Sequence, residues 1–495
     1  MGEREKRRYL PPFPLPPSQM RPPPWIPLLV VPLLLLATAA AGVFLLVGGL
    51  APEDRAVLAR VLSEHRALVF LFLFAVLAAL GLPAAWFLKR HLLPLRRLTE
   101  EARLAFTAHA GHRLTEEGHS DLDGLRRALN ALAERHETIL DRQAEAVASA
   151  RAALEEEHYL LAAVLSEVNE GILACTLDGR ILLYNAAAVH LLETDTAPGL
   201  VGLGRSVFAL LDHARLSHAL KTLTASSPQQ TERPAITLAI EQLAVRIRPL
   251  TSRDALPDGF LLVVTPTAVA PVVPATHSVM YDFALRRLPT VSSSLDDAPL
   301  TTRIYTVFDT ETTGLRPEES DEIIALGAVR IVNGRLLREE AFDTLIDPRR
   351  TVPPAATRIH GLTAEDLQGQ PTLDVVLPRF HRFAQESVLV AHNAAFDLGF
   401  LKQKEQRTGL RFDHPVLDTM LLSAVVLPAQ EDHSLDALAR RLGIQVVNRH
   451  SALGDALMTG AVFLKLLPLL AAHGIHTLGQ AQEAARQTPL ARLRY

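Results

Sequence analysis

"TRIYTVFDTETTGL", Thr302 to Leu315, decides how the C-terminal third of this chain is read. An apolar run with strand-forming residues ends in two carboxylates, Asp309 and Glu311. In an extended strand residues i and i+2 share a face, so both acids aim at one point, as a metal site needs. Working outward, "EIIALGAVRIVNGRLL", Glu322 to Leu337, predicts a strand, an Asn333-Gly334 turn and a second strand. "SVLVAHNAAFDLGFL", Ser387 to Leu401, predicts a strand as far as His392, then a helix with Asn393 as N-cap and Asp397 in its first turn or so. A helix should start at Ser434 and stop at Gly443, and a last long helix should start near Ser451 and carry Asp455. Five residues along a helix rotate by about 500°, so His450 and Asp455 share a face only if His450 stays in the preceding loop.

These segments carry Phe308-Asp309-Thr310-Glu311-Thr312-Thr313-Gly314, Ile359-His360-Gly361-Leu362-Thr363, His392-Asn393-Ala394-Ala395-Phe396-Asp397, and His450 with Asp455. In that order they resemble a DEDDh-type 3′→5′ exonuclease, in the family of the epsilon proofreading subunit of bacterial DNA polymerase III. The resemblance covers the last ~175 residues and implies an RNase H-like fold, a mixed sheet flanked by helices. It also implies hydrolysis of phosphodiester bonds with two divalent ions, Mg²⁺ or Mn²⁺, about 3.5–4 Å apart. Asp309, Glu311, Asp397 and Asp455 are the expected ligands, since hard cations take carboxylate oxygens. Crowded together without metal, they should repel one another. His450 is the expected general base, a role that suits an imidazole. Thr312, Thr313 and His360 are expected at the terminal nucleotide, and Phe396 at the pocket wall. Phe396 and Phe400, four apart on a helix, equally read as core packing. His392 reads as a structural hydrogen bonder, and Asp418 as support for the site.

The N-terminal part has a different character. No charged residue lies between Arg21 and Glu53. Trp25 to Leu50 would reach about 39 Å as a helix, and Ala67 to Leu88 about 33 Å, enough for two membrane spans. Arg4, Lys6, Arg7, Arg8 and Arg21 precede the first, and Lys89, Arg90, Arg96 and Arg97 follow the second. Basic flanks stay inside, so both termini and the catalytic domain are expected in the cytoplasm, at the inner membrane. One cysteine, Cys175, precludes an internal disulfide and fits a reducing compartment. A net charge of −4 announces no global nucleic-acid footprint, though a local patch would suffice for binding.

Between these parts, "LLPLRRLTEEARLAF" and "DLDGLRRALNALAERHE" are amphipathic patterns joined by a polar connector. With Pro94, Leu95, Leu98, Asp121-Leu122-Asp123-Gly124 and Leu129-Asn130, they resemble a HAMP linker. Leu125, Leu129, Leu132, His136, Ile139, Gln143, Ala146 and Ala150 recur at coiled-coil spacing, which predicts a parallel dimer helix. Further on, Gly171, the Asp178-Gly179 turn and Tyr184-Asn185-Ala186 resemble a PAS domain.

The expected fold is therefore multi-domain: a transmembrane hairpin, a helical linker, an α/β PAS-like domain and an α/β RNase H-like exonuclease. The expected boundaries are 1–24 (Pro-rich lead-in), 25–88 (membrane hairpin), 89–140 (HAMP-like), 141–158 (coiled coil), 159–266 (PAS-like), 267–300 (linker), 301–475 (exonuclease) and 476–495 (tail). Expected partners are 3′ ends of single-stranded DNA or RNA, the lipid membrane, and a second copy through the HAMP/coiled-coil/PAS region. Two alternatives stay open: a sensor that binds nucleic acid or nucleotide without cutting, and a polymerase proofreading subunit. "QTPLAR", Gln487 to Arg492, is only a faint clamp-binding peptide, because Arg492 stands where an apolar residue is expected.

Overall fold

The computed structural model describes residues 54, 57, 63, 65–87, 93–109, 111–115, 122–166, 168–193, 201–211, 213–225, 236–240, 243–251, 257–267, 279–287, 297–319, 321–445 and 449–491. The expected lead-in and first membrane span lie outside them. The chain divides into two compact units, Met1–Glu101 with Glu116–Arg126, and Ala102–Thr115 with Arg127–Tyr495.

In the first unit, α1 (Arg66–Phe87) is a 22-residue helix with no charge beyond its first residue. Phe70, Leu71, Phe72, Phe74 and Trp86 are all exposed along it. Helix α2 follows (Leu93–Arg103). Among the described residues, only Ala452–Ala472 passes as long and apolar enough to cross a membrane, and more than half of it is buried as a core helix.

A π-helical turn (Leu104–Ala108) precedes α3 (Asp123–Ser166), a single helix of 44 residues. It runs through the boundaries expected at 140 and 158, because neither Gly nor Pro interrupts the sequence between Gly124 and Gly171. Asn130 on α3 accepts from Leu114 N–H (2.8 Å) and donates to Leu114 C=O (3.0 Å), pinning the connector.

The middle α/β region comprises β1 (Gly171–Thr176), β2 (Ile181–Tyr184), α4 (Ala186–Leu192), α5 (His213–Ala225), β3 (Ile236–Ile240), β4 (Leu243–Thr251), β5 (Pro257–Pro266) and β6 (Met280–Tyr281). The sheet order is β3-β4-β5-β1-β2-β6. Buried Asn185 holds one corner: its Oδ1 accepts from Ile172 and Ala188 N–H, while its Nδ2 donates to Leu165 and Glu170 carbonyls. Strand β6 falls inside the expected 267–300 linker, because Leu183 and Tyr184 offer it an open sheet edge.

The C-terminal α/β region contains β7 (Tyr305–Thr312), β8 (Ile323–Val332), β9 (Arg335–Leu345), α6 (Pro354–His360), α7 (Ala364–Leu367), α8 (Leu373–Ala384), β10 (Val388–Ala391), α9 (Ala394–Gln403), α10 (Glu405–Thr408), β11 (Val416–Asp418), α11 (Thr419–Val426), α12 (Leu435–Arg441), α13 (Ala452–Ala472) and α14 (Leu478–Arg486). Its sheet, β11-β10-β7-β8-β9, is mixed: β11, β10 and β7 run parallel, and β7, β8 and β9 antiparallel. This is the RNase H-like arrangement, with β8 buried at every position. One core gathers Tyr305, Val307, Val329 and Ile331 against Val462, Phe463 and Leu466 of α13. Each such side chain, fully buried, contributes roughly 1.5–3 kcal/mol.

The segment expected as a tail at 476–495 is instead part of this region. Thr477 closes a capping box on α14, and Leu478, Ala481 and Ala491 are buried in the same core. The clamp-like peptide is correspondingly engaged: Thr488 is buried and donates to Ala485 C=O.

Candidate metal centre

Three carboxylates converge. Asp309 and Glu311 point the same way from β7, and Asp455 meets them from the first turn of α13. One ligand oxygen from each lies within 4.8 Å of the others. The approach depends on Gly327, which faces Asp309 in register on β8. A Cβ there would lie 2.1 Å from Leu453 N and 2.2 Å from Ala452 C, so only glycine lets the start of α13 come down beside β7. Ser451 caps α13 by accepting from Gly454 N–H (3.2 Å).

Asp397 is buried on α9, behind that trio. Its Oδ1 accepts from both the N–H (3.0 Å) and the hydroxyl (2.6 Å) of Thr310, the residue between the two β7 acids. Asp397 is thus outside the tight group of three, although its charge acts on Asp309 and Glu311. The expected N-cap, Asn393, makes no side-chain cap bond and sits at φ 66°. Asp418 does that work: it accepts from Asn393 N–H (3.1 Å) and Ala394 N–H (2.9 Å), and it also caps α11 through Met420 N–H (2.8 Å).

The electrostatics follow from this crowding. Burial, then the charges of Asp397, Asp455 and Glu311, hold the Asp309 carboxyl well above its ordinary range. Glu311 is pushed up to about 7 by burial and then by Asp455 and Asp397. Asp397 also rises to about 7 by burial, against the lowering effect of its Thr310 hydrogen bonds. Oδ1 of Asp455 is buried with no hydrogen-bond partner among the described residues. Clustered oxygens that resist ionisation, with one buried lone pair unused, fit a bound divalent cation.

His450 is exposed in the turn before Ser451, with φ 61°, so it lies off α13 as the spacing required. Arg449, which the sequence reading did not single out, donates to Asp455 Oδ2 and forks onto Asp436 of α12 at 2.7 and 3.1 Å. A basic residue directly before His450 was the only available signal for it.

The other expected contacts separate. His360 ends α6, and its Nδ1 accepts from Leu362 N–H (3.1 Å). Burial lowers its pKa, partly offset by the backbone of Thr312. Thr312 donates to Gly314 C=O (2.6 Å). Thr313 is buried, with its hydroxyl committed to Asp321 and Glu322, so it shapes the loop. Phe396 packs on Phe400 with ring centroids 5.2 Å apart, against a core cluster that buries Phe400 completely. His392 Nδ1 bonds to Thr419 Oγ1 at 2.9 Å, a structural contact.

Residues 306–463 match the family described as Exonuclease. The segment that holds the three converging carboxylates is thus similar to known exonucleases. A DNA polymerase III subunit epsilon-like protein of Rhodobacter capsulatus is 51% identical over 213 residues, 43% of this chain and 30% of that protein. A PolC-type DNA polymerase III of Clostridium perfringens is 38% identical over 180 residues, 36% of this chain and 12% of that protein. The matches therefore span less than a third of the length of these curated relatives. Among solved structures, Exonuclease X in complex with 5′ overhanging duplex DNA aligns at 24% identity and a TM-score of 0.31, over 37% of this chain and 99% of that one. The nuclease domain of 3′hExo, a DEDDh family member bound to rAMP, aligns at 18% identity and a TM-score of 0.31, over 34% and 94%.

Proposed function

We propose that this chain is a membrane-anchored, cytoplasmic 3′→5′ exonuclease whose linker and PAS-like regions govern its nuclease domain. The observation that carries the catalytic reading is the convergence of Asp309, Glu311 and Asp455, with Asp397 behind them, inside the matched exonuclease domain. These four carboxylates would hold two Mg²⁺ or Mn²⁺ ions. Bound there, the ions supply charge stabilisation for the phosphate and an acidified water. His450, exposed and off the helix, takes the proton of the attacking water at an imidazole nitrogen. Thr312, next to Glu311 on β7, and His360, at the Thr312 backbone, would contact the terminal nucleotide.

Helix α1 supports anchoring, as a 22-residue helix on which Phe70, Leu71, Phe72, Phe74 and Trp86 are exposed, with basic residues beyond its end. Exposed Leu132 and Ile139, seven apart on α3, support self-association. Regulation is supported by contacts between the regions. Arg205 of the middle region donates to the carbonyls of Arg382 (3.2 Å) and Phe383 at the end of α8. Lys465 of α13 donates to Ala108 C=O (2.7 Å), and His109 Nδ1 meets Arg441 C=O (3.2 Å), so the turn before α3 seats against the nuclease helices.

The test uses the full chain in detergent or nanodiscs with end-labelled single-stranded DNA and RNA. Mononucleotides should leave the 3′ end only with Mg²⁺ or Mn²⁺, and Asp309→Asn should abolish this. Cleavage that persists in EDTA, digestion of a 3′-blocked strand, or binding without cleavage each overturns the reading.

A further inference from the structure

We infer that Arg449 and Asp436 form a positioning clamp that holds Asp455 in its metal-binding rotamer and fixes the turn presenting His450. The inference rests on the exonuclease reading above and assigns two residues that lie outside the carboxylate set. Asp455 has two oxygens with different fates. Oδ2 is taken by the Arg449 guanidinium, whereas Oδ1 is buried and unpartnered among the described residues. With Oδ2 tied down, Oδ1 is the oxygen left free to take a cation, on a carboxylate grouped with Asp309 and Glu311 so that one ligand oxygen of each lies within 4.8 Å of the others.

Arg449 could not hold Asp455 alone, because a long side chain loses rotamer freedom when fixed at one point. Asp436 supplies the second anchor. It sits in the first turn of α12, which Ser434 caps, and takes the other edge of the guanidinium as a bidentate pair. A planar fork with donors on two edges can bridge two carboxylates this way; a lysine ammonium cannot. The bridge is sheltered, with Arg449 24% exposed and Asp455 9% exposed by side chain. The clamp continues into the active turn: His450, at φ 61°, follows Arg449, and Ser451 then caps α13. Left-handed backbone at a non-glycine residue persists only where neighbouring contacts hold it, and the two flanking anchors do so here.

The opposite reading makes Arg449 a plug that competes with the cation for Asp455. The two readings differ in the sign of one measurement. Under the clamp, Arg449→Met and Asp436→Asn weaken Mn²⁺ binding to the full chain; under the plug, both strengthen it. Mn²⁺ affinity is read by electron paramagnetic resonance without nucleic acid, so the readout is independent of turnover. The expected loss is about 10- to 100-fold for Arg449→Met, as for groups that orient metal ligands, with Arg449→Lys recovering only part. Asp436 is 40% exposed by side chain, so Asp436→Asn should fold normally and still weaken Mn²⁺ binding. In kinetics kcat should fall more than KM. Wild-type affinity retained in both folded variants, or tighter binding, overturns the clamp while leaving the exonuclease reading intact. A wild-type chain that binds no Mn²⁺ overturns both.

Discussion

Thr310 donates its backbone N–H and its hydroxyl to the same oxygen of Asp397, at 3.0 and 2.6 Å. The residue between the two β7 acids thus fixes the acid that stands behind them. These bonds favour the ionised carboxylate, while burial lifts its pKa to about 7. In Thr310→Val the hydroxyl bond is lost, the carboxylate is less stabilised, and its pKa rises further. The pH at which Mn²⁺ binding reaches half should move up by about one unit, the equivalent of one charge-assisted hydrogen bond. Thr310→Ser, which keeps the hydroxyl, should leave the midpoint in place. Titration of Mn²⁺ binding between pH 5 and 9 checks both variants.

The raised carboxylates also set a pH dependence of stability without metal. Glu311 rises from 4.5 and Asp397 from 3.8, each to about 7. Between those limits the folded chain binds more protons than the unfolded one, so these groups make stability fall as pH rises from about 4 through 7. In EDTA the melting temperature should drop across that window. Saturating Mn²⁺, which binds only the folded site, should remove most of the drop above pH 7. Asp309→Asn removes one of the crowded carboxylate charges, so in EDTA at pH 8 it should melt higher than wild type while being inactive. Calorimetry with and without metal reads all three outcomes.

Gly327 offers a test of how closely α13 must approach the sheet. A methyl group at this position would overlap the backbone of Ala452 and Leu453. Relief requires the start of α13, and Asp455 with it, to back away from Asp309. Misplacing a catalytic group by about 1 Å can cost 100-fold, so Gly327→Ala should lower kcat by about that factor. Overpacking of a tight contact should also cost about 1–3 kcal/mol of stability. Kinetics and urea melts of the same preparation measure the two effects.

Local signals in the sequence carried the parts of the site that are local in the fold. The alternation around Asp309 and Glu311 and the cap residues Ser434 and Ser451 each depend on neighbours within a few positions. Asp397 was legible as an acid at a helix start, but not its retreat behind the trio, which depends on Thr310 across the sheet. Asn393 looked like a cap because Asn caps helices. At φ 66° its side chain makes no cap bond, and Asp418, twenty-five residues on, takes over. Arg449 was invisible for a similar reason: its meaning lies in Asp436 on a different helix. Residues 476–495 looked like a tail because nothing in their composition reveals that Leu478 and Ala481 meet the α13 core.

The junction of the middle region with the nuclease centres on Glu340 of β9, buried and accepting from Arg330 of β8, from Tyr184 hydroxyl (2.8 Å) and from Leu203 N–H (2.8 Å). Gly202 permits this, since a Cβ there would lie 2.6 Å from Arg330 Nη1. Val332 and Leu337 of the β8–β9 hairpin are buried in the core of the middle region, so the two regions share one apolar cluster. Tyr184→Phe removes one of three donors and should cost about 1–3 kcal/mol. Glu340→Ala strands the Arg330 guanidinium in a buried setting and should cost more, about 3–5 kcal/mol. The distinguishing readout is hydrogen exchange at Leu203 N–H. Glu340→Ala should speed exchange at that amide, far along the chain from the substitution, and Tyr184→Phe should do so more weakly. Unchanged protection at Leu203 in Glu340→Ala would mean that the middle region does not lean on the nuclease hairpin in solution.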